Sequence, residues 1–257
     1  MLTCGIDIGS RTIKGVLVKD GQLLDWATGL SGATPQANAQ QLFHTLLETN
    51  GLKSSALDRT LATGYGRNYF DDADKVSSEI ICHSAGLTFL QPQVRTIIDI
   101  GGQDSKVIKV APSGKVLDFV MNDRCAAGTG KFLEMVAHTL NLAVEDIGRM
   151  AASSEQSCEI SSMCAVFAES EIISLIHQGV PTEVILKGVC DAVAKRIVSL
   201  GRKIGFDGPI GFSGGVAQNL GVAEAIEARL NTQVLIRPER PQITGALGAA
   251  LIAQKGL

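Results

Sequence analysis

The sequence IDIGGQDSK at residues 98–106 repeats, with small changes, the sequence IDIGSRTIK at residues 6–14. In each copy a β-branched run ends in Asp-Ile-Gly and a second such run starts within a few residues, which predicts a β-hairpin. The match extends downstream, because residues 21–26 correspond to residues 114–119 with one additional residue in the second copy. The chain therefore contains two copies of one β-meander, which indicates an internal duplication.

Apolar periodicity around the two meanders predicts an α/β protein. Thr182 and Gly205 are expected to cap and to end the longest helix. The predicted strands lie at residues 2–8, 12–19, 22–28, 59–62, 96–100, 105–110, 116–121, 209–213 and 232–236. The predicted helices lie at residues 35–48, 77–89, 127–140, 166–178, 182–204, 218–229 and 243–254.

The composition excludes several classes of function. The 257 residues are 45% hydrophobic and 4% aromatic, with 28 glycines and a net charge of −3. No Lys/Arg run marks a nucleic-acid surface, and charges interrupt every apolar run, so we expect no nucleic-acid partner and no membrane span. Without a signal-peptide pattern we expect a cytoplasmic protein, in which the six cysteines are metal ligands or core residues rather than disulfides.

Each Asp-Ile-Gly turn carries residues suited to a nucleotide and its metal ion. Asp7 and Asp99 are candidates to face each other across a cleft and hold Mg²⁺, mostly through water. Gln103 or Asp104 is a candidate to orient an attacking water. The alternative is that both Asp residues only stabilise their hairpins. If the chain had one such turn, this alternative would be favoured, but the presence of two related copies favours the nucleotide site.

Small and polar residues of the same turns can bind phosphate oxygens. Glycine lets backbone N–H groups approach a ligand, hydroxyl groups add donors, and lysine offsets phosphate charge. Ser105 and Lys106 can add to this set, whereas Glu79, upstream of the second copy, is expected to be solvated. The candidate phosphate-binding residues are Gly9, Ser10, Arg11, Thr12, Lys14, Gly101 and Gly102.

A third glycine cluster, FSGGVAQN at residues 212–219, follows a predicted buried strand and opens a predicted helix. Glycines there let a flat ligand or its phosphates approach the backbone, which makes Gly214, Gly215 and Gln218 further candidates. The sequence GTGK at residues 128–131 is not a P-loop. Cys125 stands where the first glycine of that motif belongs, and Phe132 stands where its Ser or Thr belongs.

The three glycine-containing segments resemble the two phosphate motifs and the adenosine motif of the superfamily that holds actin, Hsp70 chaperones and sugar kinases. The resemblance covers essentially the whole chain. It implies a two-domain, actin-like ATPase fold of the ribonuclease-H-like type, with ATP bound between the domains. The expected domains are residues 1–92 together with 243–257, and residues 93–242.

Two of the six cysteines share one setting. Cys125 and Cys164 each precede a predicted amphipathic helix, whose N-terminus favours a thiolate and an anionic cluster. A [4Fe–4S] centre needs four thiolates, which a two-fold dimer would supply as two from each subunit. Taken alone, two isolated cysteines are more often packed than ligating, and Cys158 is an alternative ligand. The remaining three, Cys4, Cys82 and Cys190, are expected in the core.

A second resemblance rests on longer segments. ATGYGR at residues 62–67, NDRCAAGTGKF at 122–132 and CAVFAESE at 164–171 look like the activators of 2-hydroxyacyl-CoA dehydratases, with benzoyl-CoA reductase ATPase subunits as relatives. This resemblance implies a homodimer with one [4Fe–4S] cluster held by Cys125 and Cys164. It also implies electron transfer, driven by ATP, from reduced flavodoxin or ferredoxin to a partner dehydratase.

As a hypothesis for the coupling, the loop with Gly128 and Gly130, just after Cys125, senses the γ-phosphate, so that loss of phosphate moves the following helix. The first alternative is a small-molecule kinase on the same fold, with Asp123 as the base and the cysteines incidental. The second is an ATP-switched scaffold without redox chemistry.

Overall fold

The computed structural model describes residues 1–122, 126–160, 164–231, 235 and 237–256. Three features predicted from the sequence fall outside these ranges: the ligand Cys125, the alternative base Asp123, and most of the strand at residues 232–236. Within the described ranges no helix is long and apolar enough to span a membrane.

The first meander forms one side of a five-stranded mixed sheet, sheet A, with strand order β3-β2-β1-β4-β5. Strand β1 is antiparallel to β2 and parallel to β4. The strands are β1 (Leu2–Ile8), β2 (Thr12–Lys19), β3 (Gln22–Leu30), β4 (Arg59–Thr63) and β5 (Lys75–Val76). Two helices follow strands of this sheet in the chain, α1 (Pro35–Thr49) and α2 (Glu79–Leu90).

The second meander forms sheet B, whose order β8-β7-β6-β9 repeats that of the first four strands of sheet A. This common topology confirms the duplicated α/β fold. The strands are β6 (Thr96–Ile100), β7 (Ser105–Val110), β8 (Val116–Asn122) and β9 (Ile210–Ser213). The helices are α3 (Gly130–Leu140), α4 (Asp146–Ala152), α5 (Ala165–His177), α6 (Thr182–Gly201), α7 (Leu220–Leu230) and α8 (Thr244–Gln254).

Helix α8, the last in the chain, packs against sheet A. Gly5 of β1 allows this approach, because a Cβ there would meet the Ala246 carbonyl oxygen. Helices α2 and α8 cross at Gly86 and Gly248, and a Cβ at either position would meet backbone of the other helix. Since glycine permits such close backbone approach, these helices form a tight joint beside sheet A.

Helix α2 lies between the two sheets and contributes to both cores. Its Cys82 packs with Leu61 and Ala249 on the side of sheet A. Its Leu87 packs with Ile97 of sheet B. Polar side chains between these two apolar contacts therefore lie where the two sheets approach each other.

Two helices begin two residues later than predicted, because a side chain caps each one. Helix α2 starts at Glu79, where the Ser78 hydroxyl accepts a backbone N–H bond at 3.4 Å. Helix α7 starts at Leu220, where the Asn219 side-chain oxygen accepts one at 3.0 Å. Such caps satisfy N–H groups that have no partner within the helix.

Helices α3 and α6 also differ from the prediction. Helix α3 starts at Gly130 instead of residue 127, since Gly128 has a φ of +108° that interrupts helical geometry. The prediction that Thr182 caps α6 was wrong, because Pro181 occupies the N-cap position. Helix α6 ends at Gly201, before the predicted end. The short helix α4 and strand β5 were not predicted.

Candidate functional site

The two hairpins carry their aspartates in equivalent positions. Asp7 pairs in register with Lys14 in the first hairpin, and Asp99 pairs with Lys106 in the second. In each turn the first glycine donates its N–H to the carbonyl oxygen three residues later. The N···O distance is 3.1 Å from Gly9 to Thr12 and 2.9 Å from Gly101 to Asp104. The duplication therefore places two matching acidic turns in one molecule.

A hydroxyl residue and a glycine follow on the neighbouring strand of each hairpin. Asp7 lies beside Thr63, and Asp99 beside Ser213. The next residues, Gly64 and Gly214, have φ values of +88° and +85°. A Cβ on Gly64 would lie 2.5 Å from Asp7 Oδ1, and a Cβ on Gly214 would lie 3.0 Å from Asp99 Oδ1. Sequence reasoning found Gly214 and missed Gly64, although a Thr-Gly step matching Ser-Gly is visible.

Asp99 is fully enclosed by donor groups of the protein. Oδ1 accepts the Ser213 hydroxyl at 2.8 Å and lies 3.3 Å from His83 Nδ1. Oδ2 lies 3.5 Å from Lys106 Nζ. Burial alone would raise the pKa of Asp99, but His83 and Lys106 outweigh it and hold the pKa below its ordinary value. Asp99 is therefore an ionised carboxylate whose oxygens already have partners.

Lys106 is buried among three carboxylates. Its Nζ lies 2.7 Å from Asp104 Oδ2, 2.8 Å from Glu79 Oε2 and 3.5 Å from Asp99 Oδ2. Burial opposes its charge, but the three carboxylates outweigh burial and raise the pKa of Lys106 above its ordinary value. The charge of Lys106 is therefore balanced within the protein, in contrast to the sequence-based suggestion that it offsets phosphate.

Glu79 also differs from the sequence prediction. Its side chain is 20% exposed and paired with Lys106, whereas a solvated side chain was expected. Burial raises the pKa of Glu79, Lys106 lowers it, and the negative charges of Asp104 and Asp7 add to the rise. The first residue of α2 thus belongs to the same electrostatic cluster as both hairpins.

Asp7 and Asp99 lie on two sides of one buried histidine. His83 Nδ1 is 3.0 Å from Thr244 Oγ1 and 3.3 Å from Asp99. His83 Nε2 and Asp7 Oδ2 both face Gly245 of α8, where a Cβ would lie 3.0 and 3.1 Å from them. Sequence reasoning assigned no role to His83; a histidine within the apolar helix α2 was the available signal.

The two turns touch directly. A Cβ on Gly102 of the second turn would meet Arg11 Cγ and lie 3.4 Å from Ser10 Oγ of the first turn. Lys14 Nζ lies 3.4 Å from both Asp7 Oδ2 and the Thr12 carbonyl oxygen. The predicted phosphate-binding residues of both turns therefore occupy one place in the structure.

The two candidate residues for orienting the attacking water, Gln103 and Asp104, differ in exposure and in side-chain contacts. Gln103 is exposed at the tip of the second turn. Asp104 has Oδ2 on Lys106, and its Oδ1 would lie 2.7 Å from a Cβ on Gly101. The Asp104 carboxylate therefore folds back against its own turn, while Gln103 is exposed to solvent.

Helix α3 begins on the second turn. Gly130 N–H donates to the Gly101 carbonyl at 2.9 Å, and Lys131 N–H donates to the Gly102 carbonyl at 2.8 Å. The Ser105 hydroxyl, itself buried, donates to the Gly128 carbonyl at 2.6 Å. The GTGK segment thus supports the second turn, which fits the rejection of a P-loop.

The third glycine cluster borders a cavity of about 640 Å³. Gly214 is followed by a 3₁₀ turn, Gly215–Gln218, and Gln218 lines the cavity. This volume lies within the range of small-molecule sites. Sequence reasoning missed much of its wall, although two prolines in RPERP at residues 237–241 signal an irregular segment. The lining residues are Ala217, Gln218, Leu235, Arg237, Pro238, Glu239 and Pro241.

The described cysteines fall into two classes. Burial raises the pKa of Cys4 to about 12, of Cys82 to about 11 and of Cys190 to about 12. Burial also raises the pKa of Cys158, whose thiol donates to a backbone carbonyl at 3.6 Å. Cys164 is exposed and is the N-cap residue of α5. Of these five thiols, only Cys164 is placed to ligate an external group.

Helix α5, which begins directly after Cys164, exposes four large apolar side chains along its length. Such exposed apolar groups on one element indicate a contact surface. Among the described residues, no three His, Cys, Asp or Glu side chains are arranged to hold a metal ion. The predicted ligand set includes Cys125 and a second subunit, neither of which lies within that description. The exposed apolar residues of α5 are Val166, Phe167, Ile173 and Ile176.

Comparison with known proteins gives a consistent result. A family model described as the BadF/BadG/BcrA/BcrD ATPase family matches residues 4–253. The activator of lactoyl-CoA dehydratase from Anaerotignum propionicum is 45% identical over 253 residues, covering 98% of this chain and 97% of that protein.

Two solved structures resemble the chain over its full length. Component A of (R)-2-hydroxyglutaryl-CoA dehydratase from Acidaminococcus fermentans has a TM-score of 0.96 and 41% identity, covering 100% of this chain and 98% of that one. The activator of 2-hydroxyisocaproyl-CoA dehydratase from Clostridium difficile with bound ADPNP has a TM-score of 0.93 and 42% identity, with the same coverage. With its two acidic hairpins and duplicated sheets, the chain belongs to the BadF/BadG/BcrA/BcrD ATPase family and is an ATPase of the actin-like α/β fold.

Proposed function

We propose that this chain is an ATP-dependent electron-transfer activator of a 2-hydroxyacyl-CoA dehydratase-type enzyme. In this proposal it works as a homodimer with one [4Fe–4S] cluster between the subunits, held by Cys125 and Cys164 of each. Its similarity to two dehydratase activators and to component A of a third dehydratase, each over 98% or more of the chain, supports the proposal.

The nucleotide phosphates would lie between the two turns, with Mg²⁺ near Asp7. Asp99 accepts bonds from Ser213 and interacts with His83 and Lys106, so we assign it to positioning the second turn. Asp7 has a long contact of 3.4 Å to Lys14, which leaves it more able to bind hydrated Mg²⁺. Gln103 would orient the attacking water more readily than Asp104, because Gln103 is exposed whereas the Asp104 carboxylate is paired with Lys106.

The adenosine would occupy the cavity beside the third glycine cluster. Among the described residues other than its own chain neighbours, none has an atom within 4 Å of the position where a Cβ of Gly215 would stand, so this glycine leaves open space beside Gly214. Gln218 contributes a polar side chain to the wall. Uncrowded backbone at this place suits the approach of a base or ribose.

The cysteine chemistry fits the proposed cluster. A thiolate ligand must be deprotonated and reachable, and Cys164 is exposed at the start of a helix of 13 residues. Cys158 is partly buried and its raised pKa opposes ligation. When bound, the cluster would supply a one-electron carrier. The apolar face of α5 beside Cys164 would contact the second copy of the chain.

The observation that carries the proposal is the attachment of α3 to the second turn. Gly130 and Lys131 donate to the two glycine carbonyls of that turn, and Cys125 lies five residues before α3 in the sequence. A turn that moves when phosphate leaves would therefore move the start of this helix. For the transfer of one electron, a shift of about 59 mV in the cluster's reduction potential changes the equilibrium constant tenfold. A small change in the surroundings of the cluster would therefore have a large effect on electron transfer.

Several parts of the proposal concern its setting. Reduced flavodoxin or ferredoxin would be the electron donor, the dehydratase would bind the acyl-CoA, and the cytoplasm would be the compartment. The proposed domains are residues 1–92 with 243–257, and residues 93–242. The packing of α8 on sheet A supports the return of the last segment to the first domain.

The proposal is tested by redox titration of protein purified without oxygen. The midpoint potential is measured with ADP and with a non-hydrolysable ATP analogue, each with Mg²⁺. We expect a nucleotide-dependent shift of tens of millivolts. Identical midpoint potentials with the two nucleotides would contradict the coupling. Protein that contains no iron after anaerobic purification, yet hydrolyses ATP normally, would contradict the redox function itself.

A further inference from the structure

An ion pair joins the first turn to helix α3. Arg11, in the turn between β1 and β2, donates from Nε to Glu134 Oε1 of α3 at 2.8 Å. Gly102 lies against the Arg11 side chain, because a Cβ there would meet Arg11 Cγ. The first turn is thus tied directly to the helix that follows the Cys125 segment.

The Arg11 guanidinium is also suited to a different partner. Its planar group of N–H donors matches the oxygens of phosphate as well as those of a carboxylate. The Arg11 and Glu134 side chains are 46% and 30% exposed, so an entering ligand can reach them. Ser10, the neighbour of Arg11 in the first turn, has its hydroxyl beside Gly102, which places Arg11 at the junction of both turns.

Glu134 would still have a cationic side chain nearby if Arg11 moved away. Lys131 Nζ, one turn earlier on α3, lies 3.7 Å from Glu134 Oε2. Exchange of Arg11 from carboxylate to phosphate therefore leaves no isolated charge on α3. The exchange would remove the tie between the first turn and α3, while the bonds from α3 to the second turn remain.

We propose that Glu134 competes with nucleotide phosphate for Arg11, so that nucleotide binding releases α3 from the first turn. This inference rests on the proposed function, because it takes the nucleotide as the competing ligand. Glu134 acts through Arg11 and is a positioning residue. Removing its charge should therefore strengthen nucleotide binding, the opposite of what loss of a nucleotide ligand would do.

The test is calorimetric titration of the anaerobically purified full chain with adenosine 5′-(β,γ-imido)triphosphate and Mg²⁺. For Glu134→Gln we expect binding about two- to five-fold tighter, the range set by exposed ion pairs. Arg11→Gln should weaken binding, and adding Glu134→Gln to it should have no further effect. Such non-additivity is expected only when two residues act through each other.

The matched control is Asp146→Asn on α4, which removes a surface carboxylate paired with Arg149 at 2.7 Å. Its affinity should equal that of the wild type. Unchanged affinity in Glu134→Gln, an equal gain in the control, or a gain that persists without Arg11 would each overturn the inference. Wild-type protein that binds no analogue would overturn the proposed function together with it. Because the altered side chains are partly exposed, thermal unfolding of each variant should match the wild type.

Discussion

Replacing Lys106 with methionine probes the charge cluster under the nucleotide site. Lys106 is 2% exposed and faces Asp104, Glu79 and Asp99 at 2.7 to 3.5 Å. Methionine keeps most of the side-chain volume but leaves three carboxylates without their central cation. Removing one partner from a buried ion pair destabilises a protein by about 3–5 kcal/mol. For a chain of this size that corresponds to a fall in Tm of about 6–20 °C.

The loss should depend on pH with a definite sign. The pKa of Asp99 is lowered in the folded protein, so its stabilising contribution is present above its unfolded pKa of about 3.9 and is lost as pH falls through the folded pKa. In Lys106→Met, His83 and Ser213 remain but burial is less fully offset, so the pKa of Asp99 in the folded variant would be higher than in the wild type. The difference in Tm between wild type and variant should therefore be largest near pH 7 and shrink as pH falls towards 4.

The assay is thermal unfolding of both proteins at several pH values, with Lys109→Met as the control. Lys109 lies on the same strand but pairs with Asp207, whose side chain is 59% exposed. Loss of such a surface pair changes stability by at most about 1 kcal/mol. A Lys106→Met protein as stable as the control, or a difference that does not vary with pH, would refute the electrostatic argument.

Other parts of the structure give predictions of the same kind. Gly248→Ala should lower the free energy of unfolding by about 1–3 kcal/mol, because its Cβ would meet backbone of α2. Gly215→Ala should unfold like the wild type yet bind nucleotide more weakly. Denaturant titration measures the stability of each variant and calorimetry its nucleotide affinity; equal stability of the two variants would contradict the packing argument. Cys164→Ser should lose iron while Cys158→Ser retains it, as measured by iron content, and the reverse result would reassign the ligand. Asp7→Asn should require far more Mg²⁺ for ATP hydrolysis, and an unchanged Mg²⁺ dependence would remove Asp7 from the metal site.

The hairpins could be predicted from sequence because their information is local. The strands Leu2–Ile8, Thr12–Lys19, Thr96–Ile100 and Ser105–Val110 have the predicted bounds. Each is a short β-branched run that ends at a turn, and the duplication supplies each pattern twice. The residues of both turns were therefore found before their contacts were known.

The partners of those turns could not be predicted, because they come from elements distant in the chain. His83 and Glu79 reach the site since α2 runs between the sheets, a placement that no local pattern specifies. Lys106 was interpreted as a phosphate ligand because its three carboxylates come together only in the folded protein. The ion pair of Arg11 with Glu134 could not be predicted either, since it spans 123 residues of sequence.

Native mass spectrometry of protein purified without oxygen tests the central claim most directly. We predict one species with the mass of two chains plus four iron and four sulfide, because two thiolates from each chain complete one cluster. A single chain without iron that hydrolyses ATP at an undiminished rate would contradict the account.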